Sequence, residues 1–319
     1  IGWYIDEYGI AQVSMNITDI NRTPLHAAFD EVVRAAAARG IRVTGTEIVG
    51  LVPKRAIIDA GKYFLRKQQR SVGIPEKEII RMAVKSMGLD DLGEFRPEEK
   101  IIEYLIAPES GHRLVDMTCS DFADETASES PAPGGGSISA YMGALAASLG
   151  TMVANLSAHK AGWDDRWEEF SNYAEGGRML VDRLIALVDE DTEAFNRIMA
   201  AIQMPKGTDA EKEQRAKALE AATLYATRVP LMTMHAAYDC FDLCEAMADL
   251  GNPASVSDAG VGALAARASV LGAELNVRIN AASLKDRAQA DALVAEARQL
   301  ALQAVQGEEE ILKIVNEKI

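Results

Sequence analysis

The hydrophobic pattern of this 319-residue chain changes at Thr118. Before Thr118, short runs with the period-2 alternation of strands are interleaved with runs of helical spacing. After it the strand signals disappear, and windows rich in Ala, Leu and Glu continue to the C-terminus. The 164–203 window is long enough for two helices, and Pro230 and Pro253 mark breaks. Helices are therefore predicted over 118–129, 137–158, 164–203, 209–228, 230–249, 257–281 and 286–318.

The residues before this change predict an α/β domain. In the segment 10–17, apolar and polar residues alternate as in a half-buried strand, with Val13, Met15 and Ile17 on one face. A second extended segment covers Ile41–Val52, and helices are predicted on either side of it. We therefore expect a domain over residues 1–108, a connector over 109–117 and an all-α domain over 118–319.

Charge and composition exclude several functional classes. A formal net charge of −15 and the lack of a basic tract argue against a nucleic-acid partner. The apolar run 140–156 is short and interrupted by Ser148 and Gly150, so no membrane partner is predicted. Three cysteines and no signal peptide indicate the reducing cytoplasm. Because the sequence starts at Ile1 without a methionine, we expect it to be a fragment.

Three consecutive glycines precede the second predicted helix of the all-α domain. Gly134, Gly135 and Gly136 are followed by Ser137 and a long run of small apolar residues. Glycines at a helix entrance allow a ligand to approach the backbone, and the first N–H groups of the helix point at that ligand. The alternative is a flexible turn in front of a core helix.

Asp191 is the strongest catalytic candidate because a carboxylate stands on the apolar stripe of a helix. It lies four residues after Leu187 and four before Phe195. A carboxyl group in such a place is either paired or has a raised pKa, and a raised pKa suits a general acid or base. The alternative is a structural Asp bonded to a neighbouring helix terminus. Asp189 and Glu193, four residues apart, share a neighbouring face, which is either solvated or contributes one of the two carboxylates to a cleft.

A second group of polar residues belongs to the window 257–281. Asp258 falls in its first turn, where a carboxylate suits the helix dipole whether or not it is catalytic. Further on, a strip of small and polar residues ends in Asn276 and Asn280, with Arg278 nearby. Two amides on a largely apolar helix need partners, which either a flat heterocycle or a neighbouring helix can supply.

Cys240 and Cys244 lie one helical turn apart with His235 upstream. A zinc site needs more ligands at better spacing, so we predict no metal and interpret both residues as buried small hydrophobes.

Four segments of the helical part, taken in order, resemble the cyclodeaminase domain of the formiminotransferase-cyclodeaminase family: 132–137, 187–195, 252–261 and 276–280. Residues 112–319 are also similar to the related bacterial methenyltetrahydrofolate cyclohydrolases. The first part of the chain, to about residue 108, resembles the second half of the formiminotransferase unit, through residues 2–7, 11–16, 49–53 and 100–105. Two different domains in the order of the family make the resemblance specific.

The resemblance implies a fold and an activity. It implies a ferredoxin-like βαββαβ first domain, a multihelical second domain and a homo-oligomer. The transferase of such a bifunctional enzyme of histidine breakdown moves a formimino group from N-formimino-L-glutamate to N5 of tetrahydrofolate. The cyclodeaminase closes the ring to 5,10-methenyltetrahydrofolate and releases ammonia. Tetrahydrofolate, polyglutamylated, is the one-carbon carrier.

Combined with the residues above, the resemblance gives a set of expected site residues. Asp191 is the expected proton-transfer group, with Asp258 as its partner. The substrate-binding residues expected are Gly134, Gly135, Gly136, Ser137, Asp189, Asn276, Arg278 and Asn280. The half of the transferase that carries the catalytic histidine of the family is absent, so we expect no transferase activity from these residues alone. The part of that cleft present here is expected at Gln12, Ser14 and Asn16.

Two rival functions stay open at the level of the sequence. A cyclohydrolase would add water to the methenyl bridge in the same pocket. A non-catalytic helical scaffold would need no pocket, but a buried, unpaired Asp191 would weaken such a core.

Overall fold

The structure is a computed structural model that describes residues 1–107 and 113–319. The chain forms two compact units, Ile1–Gln69 with Pro75–Glu109 and Arg70–Ile74 with Ser110–Ile319. Residues 109–112 of the predicted connector lie outside the described residues. The segment 70–74, predicted within the first domain, belongs to the second unit, where Val72 N–H donates to Ser171 Oγ at 3.1 Å.

The first unit contains one two-stranded antiparallel sheet and a helical core. Strands β1 (Gly2–Ile5) and β2 (Ile10–Val13) form a hairpin in which Gly2 pairs with Val13. Helices α2 and α3 supply most of the core, which includes Ile57, Phe64 and Ile80. The helices of this unit are α1 (Leu25–Ala37), α2 (Lys54–Lys67), α3 (Glu76–Met87), α4 (Pro97–Lys100) and α5 (Ile102–Leu105).

Of the two extended segments predicted for this unit, 10–17 forms a strand only over Ile10–Val13, and 41–52 forms none. The segment 41–52 forms no regular strand, and its one ladder contact is a parallel bridge from Val52 to Ile101. The alternation of residues 10–17 is present, but Val13 is 60% and Met15 48% exposed, so their face is not buried. The face of residues 10–17 stays exposed because a two-stranded hairpin has no second layer of its own to cover it. The segment 41–52 forms no ladder because it has no neighbouring strand.

All regular secondary structure among the described residues of the second unit is helical, as predicted. Its sequence becomes helical because apolar residues recur at three- and four-residue spacing over long windows. The window 164–203 holds one helix of 37 residues instead of two. The helices are α6 (Cys119–Thr126), α7 (Gly135–Ala158), α8 (Trp167–Gln203), α9 (Asp209–Tyr238), α10 (Cys240–Leu250), α11 (Val256–Ala281) and α12 (Arg287–Lys318).

Helix α7 lies between α8 and α11 and runs antiparallel to both. A Cβ added at Gly143 would meet Ser269 Oγ at 2.8 Å, and one added at Gly177 would meet Thr151 Oγ1 at 2.2 Å. Small residues thus let the three helix axes approach closely. By length and hydropathy α7 could cross a membrane, but 61% of its apolar window is buried inside the unit, which is typical of a core helix.

The break predicted at Pro230 is absent, because α9 continues through that proline to Tyr238. Proline has no N–H, so the carbonyl of Ala226, four residues earlier, loses its helical donor. Asn280 Nδ2 on α11 donates to that carbonyl at 2.7 Å. The Asn280 side chain therefore replaces the missing hydrogen bond, and α9 continues through Pro230.

Candidate active site

The first turn of α7 holds the carboxylate of Asp191 on α8. Ser137 N–H donates to Asp191 Oδ2 at 2.9 Å, and Ser137 Oγ lies 3.2 Å from the same oxygen. The hydroxyl also lies 2.9 Å from the carbonyl oxygen of Val188, so the fully buried Ser137 links both groups of α8. This contact brings the glycine loop and Asp191, 54 residues apart in the sequence, together.

Two glycines of this loop approach polar side chains closely. A Cβ at Gly136 would lie 2.1 Å from Asp191 Oδ1, which is far inside van der Waals contact. A Cβ at Gly135 would lie 3.4 Å from Asn276 Nδ2 on α11. Gly134, the residue at the N-cap of α7, faces open space apart from a backbone oxygen at 3.8 Å. The glycines thus make room for the side chains of α8 and α11 at the start of α7.

Burial raises the pKa of the Asp191 carboxyl, and the hydrogen bonds from the Ser137 side chain and backbone oppose that rise. Both of these hydrogen bonds reach Oδ2. Among the described residues no side chain or backbone donor is bonded to Oδ1. One carboxylate oxygen is therefore held and the other is available to a ligand, which is the arrangement that proton transfer to a ligand requires.

An apolar surface continues from Asp191 along α8. Helix α7 begins opposite Asp191 and runs antiparallel to α8. The last turns of α8 therefore extend past the N-terminus of α7. Phe195 is 39% and Ile202 44% exposed on the stripe of α8 that carries Asp191. A cavity of about 270 Å³ opens beside this stripe, lined in part by Ile198, Ile202, Leu219, Thr223, Asn280 and Lys285. Asp191 does not line this cavity, which begins two turns further along α8 at Ile198. The apolar floor of the cavity can accept an aromatic ring.

The two amides of α11 have different surroundings. Asn276 Nδ2 donates to the carbonyl of Gly272 in its own helix at 2.9 Å and faces Gly135. Asn280 borders the cavity but uses its Nδ2 on Ala226, as described above. Arg278 pairs with Glu274 of the same helix at 3.5 Å, and its side chain is 47% exposed. All three residues lie at the Asp191 end of the unit, but of the three only Asn276 faces the glycine loop and only Asn280 borders the cavity.

Asp189 has a structural partner in this unit. Its Oδ1 accepts a hydrogen bond from Leu114 N–H at 2.8 Å. Burial raises the pKa of the Asp189 carboxyl, partly offset by the backbone N–H groups of Leu114 and Val115 and by Arg113. Asp189 therefore anchors the turn before α6, next to the candidate site.

The structure does not bring Asp258 to Asp191 within one chain. Asp258 lies in the first turn of α11, and Asn276 lies 18 residues further along that helix. At about 1.5 Å per residue the separation is roughly 27 Å. Asp258 is half-buried, and among the described residues its carboxylate has no hydrogen-bond or ion-pair partner. Its predicted partnership with Asp191 has no support from the geometry of a single copy.

Sequence reasoning missed a cluster on the adjacent face of α8. Tyr225 of α9 donates a hydrogen bond to Glu190, and the Arg197 guanidinium lies 4.2 Å from the centre of the Tyr225 ring. Tyr225 and Arg197 border a second groove of about 540 Å³ between α8 and α9. The only signal in the sequence was that Glu190 and Arg197 lie seven residues apart, two turns of one helix.

The remaining predicted residues lie elsewhere. In the first unit, Gln12 and Ser14 are half-buried and Asn16 is exposed, along and after β2. In the second unit, Cys240 and Cys244 are buried as predicted, and no group of three or more possible metal ligands occurs among residues 1–107 and 113–319.

Comparison with known proteins adds an independent line of evidence. Family models match residues 118–299 as formiminotransferase-cyclodeaminase and residues 1–107 as the formiminotransferase domain. Formimidoyltransferase-cyclodeaminase of Gallus gallus is 37% identical over 90% of this chain and 53% of its own length. This chain therefore spans about half the length of the curated formimidoyltransferase-cyclodeaminases that it matches.

Two shorter proteins match the helical unit. Methenyltetrahydrofolate cyclohydrolase of Methylorubrum extorquens is 37% identical over 63% of this chain and 97% of its own length. The crystal structure of formiminotetrahydrofolate cyclodeaminase from Thermotoga maritima superposes with a TM-score of 0.56 at 26% identity. It covers 63% of this chain and 96% of that one. The two family models and these relatives together show that this chain belongs to the formiminotransferase-cyclodeaminase family.

Proposed function

We propose that the helical unit is a formimidoyltetrahydrofolate cyclodeaminase, which converts 5-formiminotetrahydrofolate into 5,10-methenyltetrahydrofolate and ammonia. The observation that carries the proposal is the Asp191 carboxyl, held at Oδ2 by Ser137 and open at Oδ1 beside an apolar surface. The cyclodeaminase of Thermotoga maritima supports the choice of reaction.

The reaction needs one proton acceptor and one proton donor at neighbouring nitrogens. In the proposed mechanism, the formimino group is protonated as an amidinium, and N10 attacks its carbon to form a tetrahedral adduct that carries an NH2 group. The N10 proton passes to Asp191 Oδ1 and then to the departing nitrogen, which leaves as ammonia while the N5–C–N10 bridge becomes the methenyl group. A raised pKa suits a carboxyl that is protonated and deprotonated in turn, and such groups contribute about 10²–10⁴-fold to rate.

The rest of the site would position the folate. Gly134 and Gly135 leave the first N–H groups of α7 accessible, and Asn276 lies against them. The apolar stripe with Phe195 and Ile198 would receive the aminobenzoyl ring. Holding N10 next to the formimino carbon supplies the proximity that ring closure requires.

The wider role of the complete protein follows the same family. We propose that it also transfers the formimino group from N-formimino-L-glutamate, that it acts in histidine breakdown in the cytoplasm, and that it is a homo-oligomer. The first unit would complete a ferredoxin-like sandwich with further strands. In support, residues 41–51 keep exposed apolar side chains, with Ile41 at 60% and Val49 at 86% exposure, as an unpaired strand would. Gln12, Ser14 and Asn16 would form part of the transferase cleft.

A cyclohydrolase is the second candidate, because the Methylorubrum extorquens enzyme matches this unit over 97% of its own length. Two assays on the same preparation separate the reactions. With 5-formiminotetrahydrofolate, a cyclodeaminase releases ammonia and gains methenyl absorbance together, faster than the uncatalysed closure. Hydrolysis of 5,10-methenyltetrahydrofolate without ammonia release from the first substrate would favour the cyclohydrolase. Inactivity in both, with no protection of the chain by folate against thermal unfolding, would favour the scaffold.

A further inference from the structure

Two acceptors compete for the single hydroxyl proton of Ser137. Its Oγ lies 2.9 Å from the carbonyl oxygen of Val188 and 3.2 Å from Asp191 Oδ2. The first distance is ordinary for a hydroxyl donor and the second is slightly long. A third oxygen, Thr192 Oγ1, is further away at 3.5 Å. Since a serine hydroxyl has one proton to donate, it serves either the carbonyl or the carboxyl group fully, but not both.

The carbonyl of Val188 does not depend on Ser137. It lies inside α8, where the N–H of Thr192, four residues further on, is its helical donor. When the Ser137 hydroxyl turns away, this carbonyl keeps that donor, so no buried polar group is left without a partner. The carbonyl can therefore accept the Ser137 proton or lose it at little cost.

The charge of Asp191 decides which of the two acceptors is stronger. Hydrogen bonds to an ionised carboxylate are roughly twice as strong as those between neutral groups. Once the carboxyl group is protonated at Oδ1, its Oδ2 becomes an uncharged carbonyl oxygen and loses this advantage. The shorter distance from Ser137 Oγ then favours the carbonyl of Val188. Rotation about the Cβ–Oγ bond of Ser137 is enough to redirect the proton.

The backbone of Ser137 keeps Asp191 in place during this change. Its N–H donates to Oδ2 at 2.9 Å and is fixed in direction because it belongs to the first turn of α7. The Ser137 side chain is fully buried, so bulk water does not compete for its proton. The hydroxyl can thus respond to the charge of Asp191 while the carboxyl group stays where it is.

The charged groups around Asp191 are engaged elsewhere. Helix α7 contains no Asp, Glu, Lys or Arg. On the other neighbouring elements each nearby charged group has a partner: Arg113 with Asp116, Asp189 with Leu114 N–H, Glu190 with Tyr225, Glu193 with Arg197 and Arg278 with Glu274. Burial raises the pKa of Asp191, and the hydrogen bonds from Ser137 oppose that rise. Ser137 is therefore the residue that responds to the charge of Asp191.

Building on the proposed function, we propose that Ser137 is a positioning residue whose hydroxyl switches between two acceptors during each turnover. It donates to Asp191 Oδ2 while the carboxylate is ionised, and it turns to the carbonyl of Val188 when Oδ1 has taken up the N10 proton. It turns back when that proton leaves with the departing nitrogen. No proton passes through Ser137. The switch stabilises the base form of a buried carboxyl group and adds nothing to the acid form, so one residue can perform both roles.

The switch is tested without activity by magic-angle-spinning NMR. With ¹³C at the carbonyl carbon of valine and ¹⁵N in aspartate, only Val–Asp peptide bonds give a correlated signal. The sequence has three, after Val115, Val181 and Val188, and Val188→Ile identifies the relevant signal by removing it. The Val188 signal should move as Asp191 titrates, because its carbonyl loses a hydrogen bond, and should move much less in Ser137→Ala. A signal that does not move in the wild-type chain, or that moves as far in Ser137→Ala, overturns the switch.

Unfolding measures the same role through proton affinity. Removing the hydroxyl should bind the Asp191 proton about tenfold more tightly, since a hydrogen bond to a carboxylate is lost against a weaker one to a carbonyl. The difference in free energy of unfolding between Ser137→Ala with and without Asp191→Asn should then change at higher pH than in the wild-type background. The control is Ser148→Ala, on the same helix, whose hydroxyl donates to the carbonyl of Ala144 at 2.7 Å and which should leave the titration unchanged. An unmoved titration in Ser137→Ala overturns the proposal.

Kinetics separate this role from a purely structural one, provided that the wild-type chain is active. Whatever the height of its plateau, the acid limb of kcat/KM should move to higher pH in Ser137→Ala, by the same tenfold in proton concentration. A lower kcat/KM with an unmoved acid limb would mean that Ser137 only supports packing, and would overturn the switch. An inactive wild-type chain rejects the proposed function instead, while NMR and unfolding still decide whether the hydroxyl follows the charge of Asp191.

Discussion

Gly136 and Asp191 are so close that a single methyl group at Gly136 would occupy the space of the carboxylate, 2.1 Å from Oδ1. The backbone at the start of α7 can therefore bind the Asp191 side chain through Ser137 N–H only because residue 136 has no Cβ. This contact fixes the carboxyl group at the mouth of the site and explains why a glycine is needed at this helical position.

Gly136→Ala should displace Asp191 and destabilise the second unit by about 1–3 kcal/mol, as overpacking does. The matched control is Gly176→Ala, in the middle of α8, because a Cβ there has no neighbour within 4 Å. Gly176→Ala should raise the free energy of unfolding by about 1 kcal/mol, because alanine has a higher helix propensity than glycine. Thermal and urea unfolding of both variants measure the difference. Equal stability of the two variants would show that the Asp191 side chain can move aside at no cost.

Asn280 and Pro230 should be energetically coupled through the carbonyl of Ala226. With Pro230 present, Asn280→Ala leaves this carbonyl without a donor, which should cost about 1–3 kcal/mol. In a Pro230→Ala background the helix supplies its own N–H, so the cost of Asn280→Ala should be much smaller. A double-mutant cycle by urea unfolding measures the coupling. Additive effects would contradict the compensation.

The three cysteines differ in solvent exposure and should therefore differ in reactivity. Cys119 is exposed, whereas Cys240 and Cys244 are buried. Burial raises the pKa of both buried thiols, that of Cys244 to about 12. Since the thiolate is the reactive form, a thiol reagent at neutral pH should modify one cysteine quickly in the native chain and all three after unfolding. Rapid modification of a second thiol in the native chain, identified by mass spectrometry, would mean that α10 is not packed as described.

Most of the second unit could be predicted from the sequence because helices are encoded locally. The period of apolar residues located α7, α8, α11 and α12, and the stripe around Asp191 indicated its burial. The error at Pro230 arose because the donor that rescues Ala226 comes from Asn280, 54 residues away. In the first unit, the segment 41–52 has strand-like composition, but a strand also needs a neighbouring strand, which local pattern does not supply.

The same distinction applies to the site. Ser137 and Asp191 were both candidates from the sequence, but their hydrogen bond depends on how α7 packs against α8. Asp189 and Arg278 were predicted to bind substrate, but each has a partner within the unit. Asp189 accepts a hydrogen bond from Leu114 N–H, and Arg278 pairs with Glu274. Asp258 was placed correctly in a first helical turn, yet its distance from Asp191 follows from the antiparallel course of α11 and α7.

The raised pKa of Asp191 makes both rate and stability depend on pH. As a base, Asp191 must be ionised, so kcat/KM should fall in acid with an apparent pKa above the usual value of about 3.9. Because the folded state binds this proton more tightly than the unfolded state, the stability due to protonated Asp191 is present below the ordinary pKa and lost as pH rises through the raised pKa.

Asp191→Asn removes this titration. The free energy of unfolding of Asp191→Asn relative to the wild-type chain should therefore increase as pH rises through the raised pKa and then level off. Urea unfolding of both chains across the acid range measures this difference. A difference that does not change with pH would show that burial leaves the proton affinity of Asp191 unaltered.

The central claim is that the Asp191 carboxyl transfers the proton during ring closure, and single-turnover kinetics of Asp191→Asn test it most directly. The variant should bind folate as the wild-type chain does while the rate of ammonia release from 5-formiminotetrahydrofolate falls about 10²–10⁴-fold. The control is Glu193→Gln, because the Glu193 side chain is 55% exposed and its carboxylate pairs with Arg197; this variant should keep the wild-type rate. A wild-type rate in Asp191→Asn, with folate binding intact, would contradict the claim.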